Sequence, residues 1–454
     1  MWRFPPEDVV EFRKRLRLFY WSFFMSYADS LSSKERFKAM RNAIGSAWFG
    51  CVAEVMVDSS AFITLYILAL GGSAAMAVLV AGFTGVVNMF ILIPSASIVT
   101  RIGLKRAVKY ACLTGCFGLL LAAFAPWFGA YSKYVALAGC FIYCLQRPLY
   151  TATWYPLLDN FLRPQDRGNF FGVMRFSYML IIGIPFFIAG LFMGKNASII
   201  LLQCIIAFAG LALLGRWFFI NRFPIDPNAK VEVPEMKKAL NISLHNGPLT
   251  GYAVYICMFN MVYTPIYPLT LAYLREYIQL SAGSVQLIST VWIGGQLVPF
   301  LLYGYLLKKT SLRFLEILVH VTVMTVAACM FLLPPGIPGF AWIVAALVLI
   351  LSMAQSFYMC SNSSEMMALA RPGNKTMASA FCQTYTGFGM AAGRNLTSGI
   401  LAIGFLAPQW TWGGMTFNQF QTIYLICAVF AAVIFIMLPI VPSIISKHDD
   451  YYEP

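Results

Sequence analysis

Charge is what this chain has least of. Of its 454 residues 11% are charged and only three are histidine, while 60% are hydrophobic. A soluble domain carries about 25% charged residues, so there is too little polar material to coat a surface facing water. The apolar character runs along the whole length, which excludes a soluble domain on a single anchor. The same shortage excludes disorder and a collagen-like rod. The eleven cysteines all fall in apolar stretches. Cys112 and Cys116, like Cys140 and Cys144, share a helix face, but no histidine or carboxylate stands at ligand spacing. They read as small packing residues, and neither a metal nor another cofactor is expected. A Gly-rich phosphate loop and a nucleophile elbow are missing too, so the chain does not read as an enzyme.

What it has in abundance is apolar runs of one particular length. A hydrocarbon core about 30 Å thick takes roughly 20 residues of helix. Such stretches lie near 44–70, 74–99, 107–128, 134–157, 169–193, 197–219, 249–272, 283–307, 312–333, 339–363, 377–404 and 418–443. The expectation is an all-α integral membrane protein with twelve spans, six on either side of the longest polar connection, 220–247. Its parts are then a segment 1–42, a six-helix bundle 43–219, that connection, a second bundle 248–445 and a tail 446–454.

A formal net charge of +14 invites a nucleic acid as partner. Position decides otherwise. The basic residues of the connections, Arg216 counted among them, fall on the side of the N-terminus, and only Lys133, Lys195 and Arg275 fall on the other. By the positive-inside rule both termini are cytoplasmic, in a multi-pass protein of the plasma (inner) membrane, and the charge is a topology signal. No nucleic acid partner is expected, and the protein is expected to work as a monomer in the lipid bilayer. Residues 7–26 hold Arg13-Lys14-Arg15-Leu16-Arg17 beside Phe19, Tyr20, Trp21, Phe23 and Phe24, the pattern of an amphipathic helix on a membrane surface. With no clean apolar core, the first 30 residues do not read as a cleavable signal. Ser32-x-x-Glu35 is a capping box that opens a helix running into span 1.

The two halves repeat. At an offset of 208 residues, Ala96-Ser-Ile-Val-Thr-Arg-Ile-Gly-Leu-Lys105 lies on Gly304-Tyr-Leu-Leu-Lys-Lys-Thr-Ser-Leu-Arg313, and Arg163-Pro164 lies on Arg371-Pro372. The first of these connections keeps Arg101, Gly103 and Lys105 of the pattern Gly-x-Leu-x-Asp-Arg-x-Gly-Arg-Lys, and the second keeps Gly304, Leu306 and the basic Lys309. Asp166-Arg167-Gly168 is an acidic-Arg-Gly turn after span 4. In these features the chain resembles the major facilitator superfamily. The resemblance implies two pseudo-symmetric six-helix bundles that carry a solute by alternating access, with gating loops at Arg101, Gly103, Lys105, Gly304 and Lys309.

Five charges lie where a bilayer should exclude them, at about 2.5–3.5 kcal/mol each near its centre. Glu54 and Asp58 are one turn apart on span 1, Arg147 is near the middle of span 4, Arg175 is inside span 5, and Arg394 is in span 11. Two acids and two arginines in one half suggest internal ion pairs along a cavity. An acid in apolar surroundings keeps its proton and a nearby guanidinium releases it, so Asp58, Glu54, Arg147 and Arg175 are candidates for coupling transport to protons. The proton-coupled sugar porters of the superfamily pair an acid on span 1 with an arginine on span 4; that resemblance is carried to Asp58 and Arg147. A static bridge between the two spans is the competing reading.

The same offset maps Arg147 onto Gln355, Arg175 onto Gln383 and Asn88 onto Gln296. The second half thus offers amides, with Asn260 and Tyr263 on a Pro-broken span 7 and Trp292 on span 8. Amides and aromatic faces suit a neutral, hydroxyl-rich solute, although Trp292 and Tyr263 fit helix packing as well. His320, one turn from Glu316, reads as structural. The expected function is symport of a small polar, sugar-like solute with H+. The alternative is an organic-anion carrier or antiporter that holds a carboxylate or phosphate on Arg147, Arg175 and Arg394.

Overall fold

A computed structural model describes residues 27–163, 166–226, 236–370 and 375–440. The amphipathic stretch 7–26, part of the 220–247 connection, Pro164, Arg371-Pro372 and the tail 446–454 lie outside the described residues. Almost everything else is helix, as it must be where no water is at hand to satisfy backbone N–H and C=O groups. The first half runs α1 (Tyr27–Ser30), α2 (Ser33–Ser59), α3 (Phe62–Ala69), α4 (Ala74–Ile102), α5 (Leu104–Ala123), α6 (Ser132–Asp159), α7 (Arg167–Phe192) and α8 (Ile199–Ile220). After the short α9 (Met236–Leu244) come α10 (Gly247–Tyr263), α11 (Ile266–Ala272), α12 (Ala282–Gly295), α13 (Leu297–Lys309), α14 (Leu312–Leu332), α15 (Phe340–Leu369) and α16 (Lys375–Ile403). A hairpin, β1 (Gln409–Trp412) and β2 (Met415–Asn418), precedes α17 (Gln419–Ile440).

Local chemistry sets the helix ends. The capping box opens α2: the Ser32 hydroxyl accepts from the Glu35 N–H at 3.3 Å and the Glu35 carboxylate accepts from the Ser32 N–H at 3.0 Å. The hydroxyls of Ser73, Ser281 and Ser311 cap α4, α12 and α14 more simply, each accepting from the backbone N–H three residues on. The hairpin closes on Gly413-Gly414, whose φ angles of +57° and +79° are those of a primed turn that only glycine adopts freely.

Ten helices among the described residues are long and apolar enough to cross a membrane, or eleven if α2 and α3, bent by 59° at Ser59–Ala61, count as one span. This falls short of the twelve expected. The remaining helix, α16, is long enough at 29 residues but carries Gln383, Arg394 and Asn395. It does not face lipid alone: α16 packs along α4 of the other half and along α10 of its own. The second seam between the halves is α7 against α12.

Small residues make the α10–α16 contact close. A Cβ at Gly389 or Gly393 would land on the carbonyl oxygens of Cys257 and Met261, so the two glycines form a small-xxx-small ridge lying on facing backbone. Gly393→Ala is therefore expected to lower stability by about 1–3 kcal/mol, since backbone cannot step aside as a side chain can. The thermal unfolding midpoint of the purified protein in detergent checks it.

Span 7 breaks between α10 and α11. Pro268 has no N–H, so the carbonyl of Thr264 loses its helical donor, and Pro265 does the same to Met261. At the end of the bundle away from α1, hydrogen bonds join the two halves: Ser398 Oγ to Ala75 O (2.7 Å), Arg275 Nη2 to Asn196 Oδ1 (2.8 Å), and Ala282 N to Lys195 O (3.0 Å). The Ala74 N–H donates to the Glu276 carboxylate in the same region. The bundle is latched shut at that end.

Candidate functional site

Asp58 sits in the last turn of α2, directly before the bend. Arg147 reaches it from α6, Nη2 to Oδ2 at 2.8 Å, and the two side chains are 20% and 24% exposed. The other carboxylate oxygen accepts from Thr84 Oγ1 of α4 at 3.2 Å, and Thr84 is itself 3.6 Å from the Cys144 thiol. One carboxylate thus ties α2, α4 and α6 together. The bend beside it frees the Ser59 carbonyl, which accepts from Tyr267 Oη of α11 in the second half at 2.8 Å. Tyr267 lies flat on Trp292, ring centroids 4.0 Å apart.

One turn back, Glu54 does not join this pair. Its Oε1 is 2.6 Å from Arg216 Nη1. Arg216 is fully buried inside α8, with its guanidinium 4.0 Å over the Tyr150 ring and 3.9 Å from the Cys51 thiol. This corrects its placement in a cytoplasmic connection. A basic residue one turn from the end of an apolar run looks like a topology signal, and the missed clue was that Glu54 needed a partner. Gly50 makes the room, because a Cβ there would coincide with the guanidinium.

Arg175 meets no acid among the described residues. Nη1 contacts the Cys360 thiol at 3.7 Å, and the guanidinium lies 5.3 Å over Phe300, both in the second half. Arg394 braces backbone: Nε donates to Thr264 O at 3.1 Å, the carbonyl orphaned by Pro268, and Nη1 donates to Ala81 O across the α4–α16 seam. Asp58 and Tyr263 are within its electrostatic range.

The expected solute contacts divide. Asn88 Oδ1, Gln355 Oε1 and the Tyr263 hydroxyl are buried polar atoms with no hydrogen-bond partner among the described residues, each costing about 1–3 kcal/mol unless something else satisfies it. Asn260, by contrast, is used within the protein: Nδ2 donates to Ile256 O at 2.7 Å and lies 2.5 Å from Tyr358 Oη. Gln383 bonds to Ser379 of its own helix at 3.2 Å, and Gln296 is buried where α12 meets α13. Nor is the second half confined to amides, since Glu316 and Glu365 are buried there at 1% and 2% exposure.

At the loops, Gly103 turns the chain between α4 and α5 with φ +87°, and Lys105 Nζ donates to Asn221 O at 2.8 Å, capping the C-terminal end of α8. Arg101 is exposed, Lys309 lies 4.6 Å over the Tyr305 ring, and Gly304 falls within α13. A separate cavity of about 440 Å³ between α2, α7 and α8 is lined by Trp48, Phe49, Val52, Ile181 and Phe208 without a charged group, and is not the polar site.

The sequence model described as Major Facilitator Superfamily matches residues 148–394. No curated protein sequence matches the chain. Among solved structures it is similar to a point mutant of the nucleoside transporter NupG (13% identity, TM-score 0.66, covering 89% of this chain and 99% of that one). It is similar also to a D-xylose-proton symporter (12% identity, TM-score 0.65, 91% and 98%). A bacterial homologue of the iron transporter ferroportin in an inward-facing state aligns at 13% identity with TM-score 0.62, over 90% and 99%. At such identities the likeness is one of fold.

Proposed function

Because this chain belongs to the Major Facilitator Superfamily, and is an integral multi-pass transporter and not an enzyme, we propose that it carries a small polar, sugar-like solute by alternating access, coupled to protons through Asp58 and Arg147. In this reading both termini lie in the cytoplasm, as the distribution of basic residues suggests, and the working unit is one chain. The observation that carries this reading is the Asp58–Arg147 ion pair beside the bend of α2–α3. A proton on Asp58 removes the negative charge that Arg147 balances and weakens the tie between α2 and α6. The next residue, Ser59, holds the Tyr267 contact, so the protonation state of one carboxylate bears on a contact between the halves one residue away. The unpartnered Asn88 and Gln355 oxygens and the Tyr263 hydroxyl supply hydrogen bonds for hydroxyl groups.

A solute with a carboxylate or phosphate is the second reading, favoured by one observation: Arg175 faces a thiol and a ring, with no described acid to neutralise it. A thermal-shift panel of neutral sugars, nucleosides and sugar acids on purified protein, at about pH 6 and about pH 8, separates the two. Ligand at a hundred times its Kd adds about 2.7 kcal/mol of stability. Neutral solutes are expected to stabilise wild type and Arg175→Gln alike. Stabilisation by sugar acids alone, lost in Arg175→Gln, would establish the anion reading instead.

A further inference from the structure

The second half holds a buried cluster that the proposed coupling site does not use. Glu316 and His320 of α14 are 1% and 0% exposed. His320 Nδ1 is 2.8 Å from the Glu316 backbone carbonyl, which can only accept, so Nδ1 carries hydrogen. Tyr255 Oη of α10 is 3.1 Å from Glu316 Oε2 and 3.2 Å from His320 Nε2. The tyrosine has one hydroxyl proton and cannot donate to both. For both contacts to be hydrogen bonds, the cluster must hold a second proton, on the carboxyl or on Nε2.

Burial chooses between these two places. An imidazolium and a carboxylate separated by a hydroxyl would both be charged in a dry interior, and Glu316 Oε1 has no hydrogen-bond partner among the described residues, which is far costlier for an ion than for the carbonyl oxygen of a neutral acid. The chain of bonds then runs one way: Glu316 Oε2–H donates to Tyr255 Oη, Tyr255 O–H to His320 Nε2, and His320 Nδ1–H to the Glu316 carbonyl. Among the described residues the other groups around the cluster are Tyr252 and Cys257 of α10, Tyr358, Asn362 and Glu365 of α15, and Cys382 of α16. Lys237 and Lys238 of α9 are exposed, and α17 presents only apolar side chains over 428–438.

We propose that Glu316, Tyr255 and His320 form a second proton-binding site, in the C-terminal half, whose exchangeable proton ties span 7 to α14. Losing it leaves one Tyr255 contact without a hydrogen and a carboxylate with no cation among these neighbours, so α10 loosens from α14. The site deepens the proton-coupled reading, but its protonation stands or falls without any transport assay.

Infrared spectra of the full chain in lipid at neutral pH are expected to show a protonated-carboxyl C=O band that Glu316→Gln removes, since the amide still donates to Tyr255 but has no acid proton. Superimposable spectra overturn the proposal. Should that variant fail to fold, wild type labelled with 15N-histidine decides: with three histidines in the chain, His320 should give a neutral ring, protonated at Nδ1 and bare at Nε2. A proton found on Nε2 overturns it. For the link to movement, deuterium exchange over 247–263 should accelerate, beyond its ordinary base catalysis, at the pH where the carboxyl band vanishes, and only in wild type. The same profile in Glu316→Gln rejects that link.

Discussion

Asp58→Asn is expected to abolish proton-driven accumulation while exchange of solute across the membrane continues. Asparagine has nearly the size of aspartate, and its amide oxygen can still accept from Thr84 or Arg147, which now sit 3.2 Å and 2.8 Å from the carboxylate. What it cannot do is take up and release a proton. In proteoliposomes loaded with whichever solute the thermal-shift panel selects, one pH unit of gradient is worth about 1.4 kcal/mol per proton, or about tenfold accumulation. The variant's ratio should fall to one, while counterflow of labelled against unlabelled solute stays within a few-fold of wild type. Accumulation that survives in Asp58→Asn would sink the coupling role and leave the pair as a static bridge between α2 and α6. Arg147→Gln should behave differently, because it strands the carboxylate instead of neutralising it. Its effect is partly relieved by solvent at a site that is a fifth exposed, and counterflow itself should suffer.

How far the sequence could lead depended on whether a feature announced its own need. A charge inside a membrane does, so Asp58 and Arg147 could be singled out without coordinates, and the structure brings them to 2.8 Å. The break of span 7 was equally open, since Thr264-Pro265 and Pro268 remove two helical donors. The bend after Ser59 was not: Ser59-Ser60-Ala61 contains no proline, and its carbonyl is held by Tyr267, 208 residues away. Arg216 hid near the end of an apolar run, where cytoplasmic arginines also belong. The seams between halves were hidden for another reason. Glycines such as Gly85 of α4 and Gly387 of α16, each lying on the other's backbone, say that something comes close, but not what. The turn at Trp412-Gly413-Gly414-Met415 was a hairpin signal overlooked among apolar spans.

Glu54→Gln should cost more stability than any other single change considered, because it leaves Arg216 charged and fully buried. Removing one member of a buried ion pair costs about 3–5 kcal/mol, whereas replacing both with apolar residues of similar volume is often neutral or stabilising. The expectation is a sharp loss of folded, monodisperse protein for Glu54→Gln, and recovery in Glu54→Gln/Arg216→Met, with the thermal midpoint as the readout. Equal midpoints for wild type and Glu54→Gln would mean that the Tyr150 face and the Cys51 thiol, 4.0 Å and 3.9 Å from the guanidinium, suffice to hold it. The double variant also separates two roles that lie one turn apart on α2. If Glu54 only anchors α8, the recovered protein keeps its accumulation ratio. If Glu54 carries a coupling proton beside Asp58, the protein folds and the ratio drops, and the sequence expectation that grouped both acids is upheld by function although geometry gives them different arginines.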